Sequence, residues 1–321
     1  MHIPDGILGL QALGVTTALS ASGLWTALRR LRQGLPRRAV PLMGLAAAFI
    51  FAAQMVNFPV AGGTSGHLVG GVLAAVLLGP SAAVVVMTAV LVVQCLLFAD
   101  GGLLALGANV LNMAIVAVIG GYLVYRAMLR ARPGRRGLLA ATAFASWCSI
   151  VLAAIGCAAE LAWSGVAPWG LVFPAMAGVH MVIGLGEAVI TTLVVAAIMR
   201  ARPELVPLAT QPARASGSGL VVATGLAMTI GLLLFGLPLA SSSPDGLERV
   251  AEVLGFSTRM SSPPLLASPM ADYRWALLGS AAAATSAAGV VGTLAAFALS
   301  CGLAAALAPR ATVGNVPGTG A

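Results

Sequence analysis

The chain has 321 residues, of which 60% are hydrophobic and only 8% charged, whereas an ordinary soluble domain carries about 25% charged residues. Such a composition excludes a water-soluble globule and implies a chain solvated by lipid. The net charge of +8 comes from 17 arginines and no lysine; because the arginines are divided among short gaps between apolar runs, they form no continuous nucleic-acid face.

Apolar runs long enough to cross a hydrocarbon core of roughly 30 Å recur along the whole sequence. They predict an all-α, polytopic membrane helix bundle of about nine transmembrane helices, seven plus two, at about 8–28, 40–58, 66–79, 81–98, 103–126, 138–160, 171–199, 219–240 and 275–307. The third is the shortest. A cleaved signal peptide puts its positive charge before the apolar run, but here all of it follows, so the N-terminus is expected to be retained. Arginines at 29, 30, 32, 37 and 38 follow the first predicted span, those at 126, 130, 132, 135 and 136 the fifth, those at 200, 202 and 214 the seventh, and Arg310 the ninth. Cytoplasmic loops concentrate positive charge, and every cluster follows an odd-numbered span. The N-terminus is therefore expected outside and the C-terminus in the cytoplasm. Asp5, Asp100, Glu160, Asp245, Glu248, Glu252 and Asp272 then fall in outer segments.

Residues 202–218, RPELVPLATQPARASGS, interrupt the apolar pattern with proline, serine, glycine and charge. They read as a linker between a domain at 1–201 and a two-span domain at 219–321. The second domain has an outer loop at 241–274 rich in serine, proline and acidic residues. Small residues in many spans allow close helix approach in lipid. Cys95, Cys148, Cys157 and Cys301 stand singly in apolar runs without ligand spacing and read as packing residues.

Imidazole chemistry must come from three histidines, His2, His67 and His180. An N-terminal Met1-His2 dipeptide can offer a metal three nitrogens: the α-amine, the amide between the two residues, and the ring nitrogen nearest the backbone. Square-planar nitrogen coordination suits Ni(II) or Cu(II), whereas calcium and magnesium require oxygen. His67, in the glycine-rich segment FPVAGGTSGHLVGG, is expected on the same membrane face and is the candidate for the fourth place. Ile3-Pro4 and the turn signal Asp5-Gly6 suggest an N-terminus held in place. His180 and Glu187, seven residues apart, share one helical face. With Asp5, Gln94, Asp100, Asn109 and Asn112 they are candidates for supporting or structural roles, since ionisable groups inside a membrane are costly and usually functional. In the 241–274 loop, Asp245, Gly246 and Glu248 are candidates for an accessory role in metal entry. Asp245, Glu248, Glu252 and Asp272 could gather cations, but Arg249, Arg259 and Arg274 nearly offset them.

Four motifs in order, MHIPDGIL, GGTSGH, QCLLFADGGLLALGANVLNM and HMVIGLGEAVIT, resemble the CbiM/NikM family over about residues 1–200. These are substrate-capture components of energy-coupling-factor nickel and cobalt transporters. The resemblance implies binding through the Met1 amine, the His2 amide and ring nitrogens, and a His67 ring nitrogen. SSSPDGLERVAEVLGF and PMADY resemble the NikN-type partner with its PDGLE motif, so the chain resembles an M–N fusion with a lean toward nickel. Ni2+ or Co2+ is then cargo, and no organic cofactor is expected. A Walker A loop needs a lysine, and the chain has none. The resemblance accordingly implies separate NikO/CbiO-like ATPase subunits and a NikQ/CbiQ-like coupling subunit in a bacterial inner membrane. Two alternatives make poorer fits. A metalloenzyme would need a motif such as HExxH, and a self-sufficient permease would be expected to show a histidine-aspartate motif within one helix.

Overall fold

In the computed structural model the described residues are 1–206, 218–260, 265, 267–275 and 278–309. Most of the predicted linker, 207–217, lies outside them, as do Arg214 and Arg310. The chain is an all-α polytopic membrane protein. Its helices are α1 (Leu10–Arg32), α2 (Ala39–Met55), α3 (Gly71–Leu78), α4 (Pro80–Phe98), α5 (Leu106–Ala131), α6 (Arg135–Trp163), α7 (Trp169–Ala201), α8 (Ser218–Gly236), α9 (Gly246–Leu254) and α10 (Ala281–Leu307). Among the described residues, α4, α5, α6, α7, α8 and α10 are long and apolar enough to cross a membrane, and α2 is a shorter apolar helix. Within α5 the stretch Val110–Gly120 is wound as a π-helix.

The expected third span is built differently from a full helix. Phe58–Val60 (β1) and Thr64–Gly66 (β2) pair antiparallel, residues 67–70 are irregular, and α3 has only eight residues. Gly70 sits at φ 79°, a left-handed conformation that glycine adopts without steric cost, and it starts α3. Helix α3 is about 12 Å long, less than half the roughly 28 Å of α4, and it packs against α4. Apolar composition alone could not distinguish this from a single helix.

One face of α1, with Ala12, Thr16, Ser20 and Ala27, is turned inward. Thr16 and Ser20 are buried, and Ser20 Oγ donates to the Gly107 carbonyl at 2.6 Å. A Cβ on Gly107 would fall 2.6 Å from the Thr17 Cα, so only glycine permits this approach of α5 to α1. At the other end of the bundle Arg37 Nε donates to the Pro309 carbonyl at 3.2 Å. This brings the first arginine loop beside the end of α10.

Candidate metal centre

The N-terminal segment is clasped into the protein residue by residue. Ile3 N–H donates to Asn109 Oδ1 at 2.8 Å, and Asn109 Nδ2 donates back to the Ile3 carbonyl at 3.0 Å. Gly102 N–H adds a bond to the same carbonyl at 2.9 Å. The Asp5 carboxylate accepts from the backbone N–H groups of Leu103, Leu104 and Ala105 at 3.0, 2.9 and 3.3 Å, in the turn that leads into α5. A Cβ on Gly102 would lie 2.3 Å from the Asp5 backbone nitrogen, so the glycine of the ADGG sequence is required by this contact. Hydrogen bonds to a charged acceptor contribute about 1.5–3 kcal/mol each, and Ile3 is fully buried. The first residues are thus held as firmly as core.

This clasp fixes Met1 and His2. The Met1 amine lies 3.3 Å from His67 Nε2, and the His2 and His67 rings stack with centroids 5.7 Å apart. His67 Nδ1 faces the Leu68 carbonyl at 3.2 Å; a carbonyl only accepts, so Nδ1 carries the hydrogen and Nε2 presents its lone pair toward the amine. His2 Nε2 likewise faces an acceptor, Gln94 Oε1, at 3.1 Å, which leaves the lone pair on Nδ1. That nitrogen stands 3.2 Å from Asp100 Oδ1, so two electron-rich atoms confront each other, an arrangement that a cation relieves. Gln94 Nε2 donates to Gln54 Oε1 at 2.6 Å, and Gln54 Nε2 donates to the Val69 carbonyl at 2.9 Å. A one-directional relay therefore runs from His2 to the segment that carries His67.

Both rings are held neutral. Burial, then the nearby amine charge and His2, push His67 down to about 3. Burial also lowers His2, outweighing the opposing pull of Asp100. For the amine, burial alone would lower the pKa, but Asp245 outweighs it and the value is raised. Asp245 moves in the opposite direction: burial favours its neutral form, yet the amine beside it takes the carboxyl below the usual carboxylate range.

Asp245 comes from the PDGLE sequence, every position of which has a visible job. The Pro244 carbonyl accepts from Ser65 N–H at 2.8 Å. Asp245 Oδ1 caps α9 by accepting from Leu247 and Glu248 N–H at 2.8 and 2.9 Å, while its Oδ2 takes the Met1 amine. Gly246 has no side chain because a Cβ would lie 2.6 Å from the His180 ring. Leu247 is buried, and Glu248 closes the capping box on Asp245 N–H at 2.8 Å. Asp245, expected to have an accessory role in metal entry, touches the terminal amine directly.

Of the remaining candidates, His180 lines a cavity of about 10 Å3, room for about one water, together with Met1, His67 and Asp245. Its Nδ1 donates to the Met176 carbonyl at 2.8 Å. Glu187 accepts from Val69 and Gly70 N–H. Asn112 is in neither group: its Nδ2 donates to Glu160 Oε2 at 2.8 Å inside the bundle. Two residues were missed by sequence reasoning. Gln54 was detectable as a buried amide in the apolar run AAAFIFAAQM. Tyr273, whose hydroxyl donates to Asp100 Oδ2, is the last residue of the PMADY sequence and is marked only through that resemblance.

The expected offset of outer acids by arginines is kept in part: Arg249 Nη1 donates to Glu252 Oε2 at 3.1 Å. A cavity of about 740 Å3 opens on His2 and His67 and is lined by Asp100, Asp245, Glu248, Glu252 and Asp272. None of Arg249, Arg259 and Arg274 lines it. Among the described residues, no three His, Cys, Asp or Glu side chains are grouped so as to hold a metal.

Known proteins carry the same two-part organisation. Residues 2–205 match the family described as the cobalt uptake substrate-specific transmembrane region, and residues 219–309 match the PDGLE domain. An Archaeoglobus fulgidus protein bearing the name of a fused nickel transport protein, NikMN, is 41% identical over 301 residues, covering 93% of this chain and 96% of its own. The fused nickel transport protein NikMN of Rhodobacter capsulatus is 37% identical over 228 residues, 66% of each chain. A crystal structure of a truncated transition metal transporter superposes with a TM-score of 0.57 at 36% identity, over 62% of this chain and 99% of that one. The chain therefore belongs to the CbiM family of substrate-specific transmembrane regions, in the form joined to a NikN-like PDGLE domain.

Proposed function

We propose that this chain is the metal-capture subunit of an ATP-driven energy-coupling-factor importer, with Ni2+ preferred over Co2+ as cargo. The observation that carries the reading is the convergence of the Met1 amine, His2 and His67. The ligands are the Met1 amine, the His2 amide nitrogen, His2 Nδ1 and His67 Nε2. Four nitrogens suit a square-planar d8 ion such as Ni(II), and the names of the relatives agree with such a cargo. The domains are 1–201 for capture and 219–321 for the PDGLE segment, with 202–218 as linker. The N-terminus faces outward in a bacterial inner membrane, and the acid-lined cavity draws the cation in.

ATP is hydrolysed by separate NikO/CbiO-like subunits, and a NikQ/CbiQ-like protein couples that hydrolysis to movement of this chain. A competition titration of the purified chain tests the cargo: nickel is expected to displace cobalt, and the reverse order would transfer the assignment to cobalt. Uptake by cells that express this chain with and without the ATPase subunits tests the coupling. Uptake unchanged in their absence would show a self-sufficient permease.

A further inference from the structure

We propose that Glu187 is a positioning residue of the capture site, acting through His67; the inference rests on the metal-capture reading above. Glu187 lies in the middle of α7 and is completely buried, an expensive place for a carboxyl group within a membrane-spanning helix. No arginine pairs with it among the described residues. Both of its oxygens are instead used on consecutive backbone groups: Oε2 accepts from Val69 N–H at 2.7 Å and Oε1 from Gly70 N–H at 2.9 Å.

Those two groups follow His67 by two and three residues, at the left-handed turn into α3. Besides the pairing of β2 with β1, three further sets of hydrogen bonds hold the His67 segment. Ser65 is held by the carbonyls of Ser243 and Pro244, the Val69 carbonyl by Gln54, and the Val69 and Gly70 N–H groups by Glu187. Of these hydrogen bonds only the last come from α7, and they grip two successive peptide groups with one buried side chain. Rotation of either peptide breaks a bond to Glu187 and swings His67 Nε2 off the line to the amine. A ligand displaced by about 1 Å can lose most of its contribution, so a buried clamp just behind the ligand sets its geometry.

Glutamine is the informative replacement. It is isosteric, but its amide NH2 would face a backbone N–H, so only one of the two bonds survives. Nickel affinity of the full chain in detergent is measured for the parent, Glu187→Gln, His67→Ala and the double variant, together with the ligand-field absorption of the bound nickel. Glu187→Gln is expected to weaken nickel binding about tenfold and to shift the absorption toward that of His67→Ala. In the His67→Ala background the same change is expected to have no further effect, because residues acting through a shared contact are not additive. Glu187→Asp, which keeps both acceptors on a shorter stem, is expected to restore part of the affinity and serves where the glutamine variant does not fold.

Equal losses with and without His67 would assign Glu187 to general stability and overturn the proposal. So would an unchanged affinity in Glu187→Gln while His67→Ala weakens binding, with the capture reading intact. If His67→Ala itself leaves nickel binding unchanged, the capture site as drawn falls, and the inference with it.

Discussion

Helices α4 and α8 have nearly the same mean hydropathy, 2.5 and 2.3, but 72% of the first and 11% of the second is buried within the chain. Hydropathy registers what lipid tolerates and is blind to whether lipid or protein surrounds a helix, since lipid tails are as apolar as leucine. The difference lies in the polar residues. Helix α4 carries buried Gln94, whose bonds to His2 and Gln54 require neighbours on several sides. Helix α8 carries Thr229, which donates only to the Gly225 carbonyl of its own helix at 2.8 Å. The N-terminal block is therefore a packed body with the candidate centre in its wall. The C-terminal block attaches by α10 against α2 and α4 and by the PDGLE segment against Met1.

If the centre belongs to the packed block, the largest effect comes from displacing the amine. One alanine added before Met1 keeps every side chain but moves the amine, and nickel affinity is expected to fall 100-fold or more, about 3 kcal/mol. An unchanged titration would remove the amine from the ligand set. His67→Ala should abolish high-affinity binding, whereas His180→Ala should leave it measurable.

The contribution of the C-terminal block is expected to be smaller and to appear as pH dependence. Metal binding requires the deprotonated amine, and Asp245 raises the amine pKa. Asp245→Asn should therefore shift the nickel-binding curve toward lower pH, by about one pH unit. A curve that stays in place would leave Asp245 as a helix cap alone. Next in size, Glu252→Gln with Asp272→Asn should slow nickel association several-fold at low salt and have little effect at high salt, as expected for electrostatic steering. Stopped-flow measurements at two ionic strengths would detect this. Phe235, 81% exposed on α8, should tolerate alanine within about 0.5 kcal/mol in detergent unfolding. Fully buried Leu91 of α4 should lose about 2–5 kcal/mol on the same change. Similar losses at both positions would contradict the contrast between the blocks.

How far the sequence could be read follows the same physics. Long apolar runs declare themselves, so the membrane bundle was legible, and with only three histidines the pairing of His2 with His67 was legible as well. The eight-residue α3 was not, because a half-helix after an irregular descent has the composition of a span. Nor was the bond from Asp245 to the Met1 amine, which joins residues 244 positions apart and depends on how two blocks dock. The acid-lined cavity was hidden for a related reason. Counting charges in the 241–274 loop balances Arg249, Arg259 and Arg274 against the acids, and it does not tell that the acids share a cavity with the histidines.

Were the PDGLE segment a separate chain, it would have to find Met1 by diffusion in the bilayer, and its occupancy would depend on how much of each chain is made. Here Met1 and Asp245 belong to one covalent chain, so the two partners of this contact are always present at one-to-one stoichiometry, whatever the expression level.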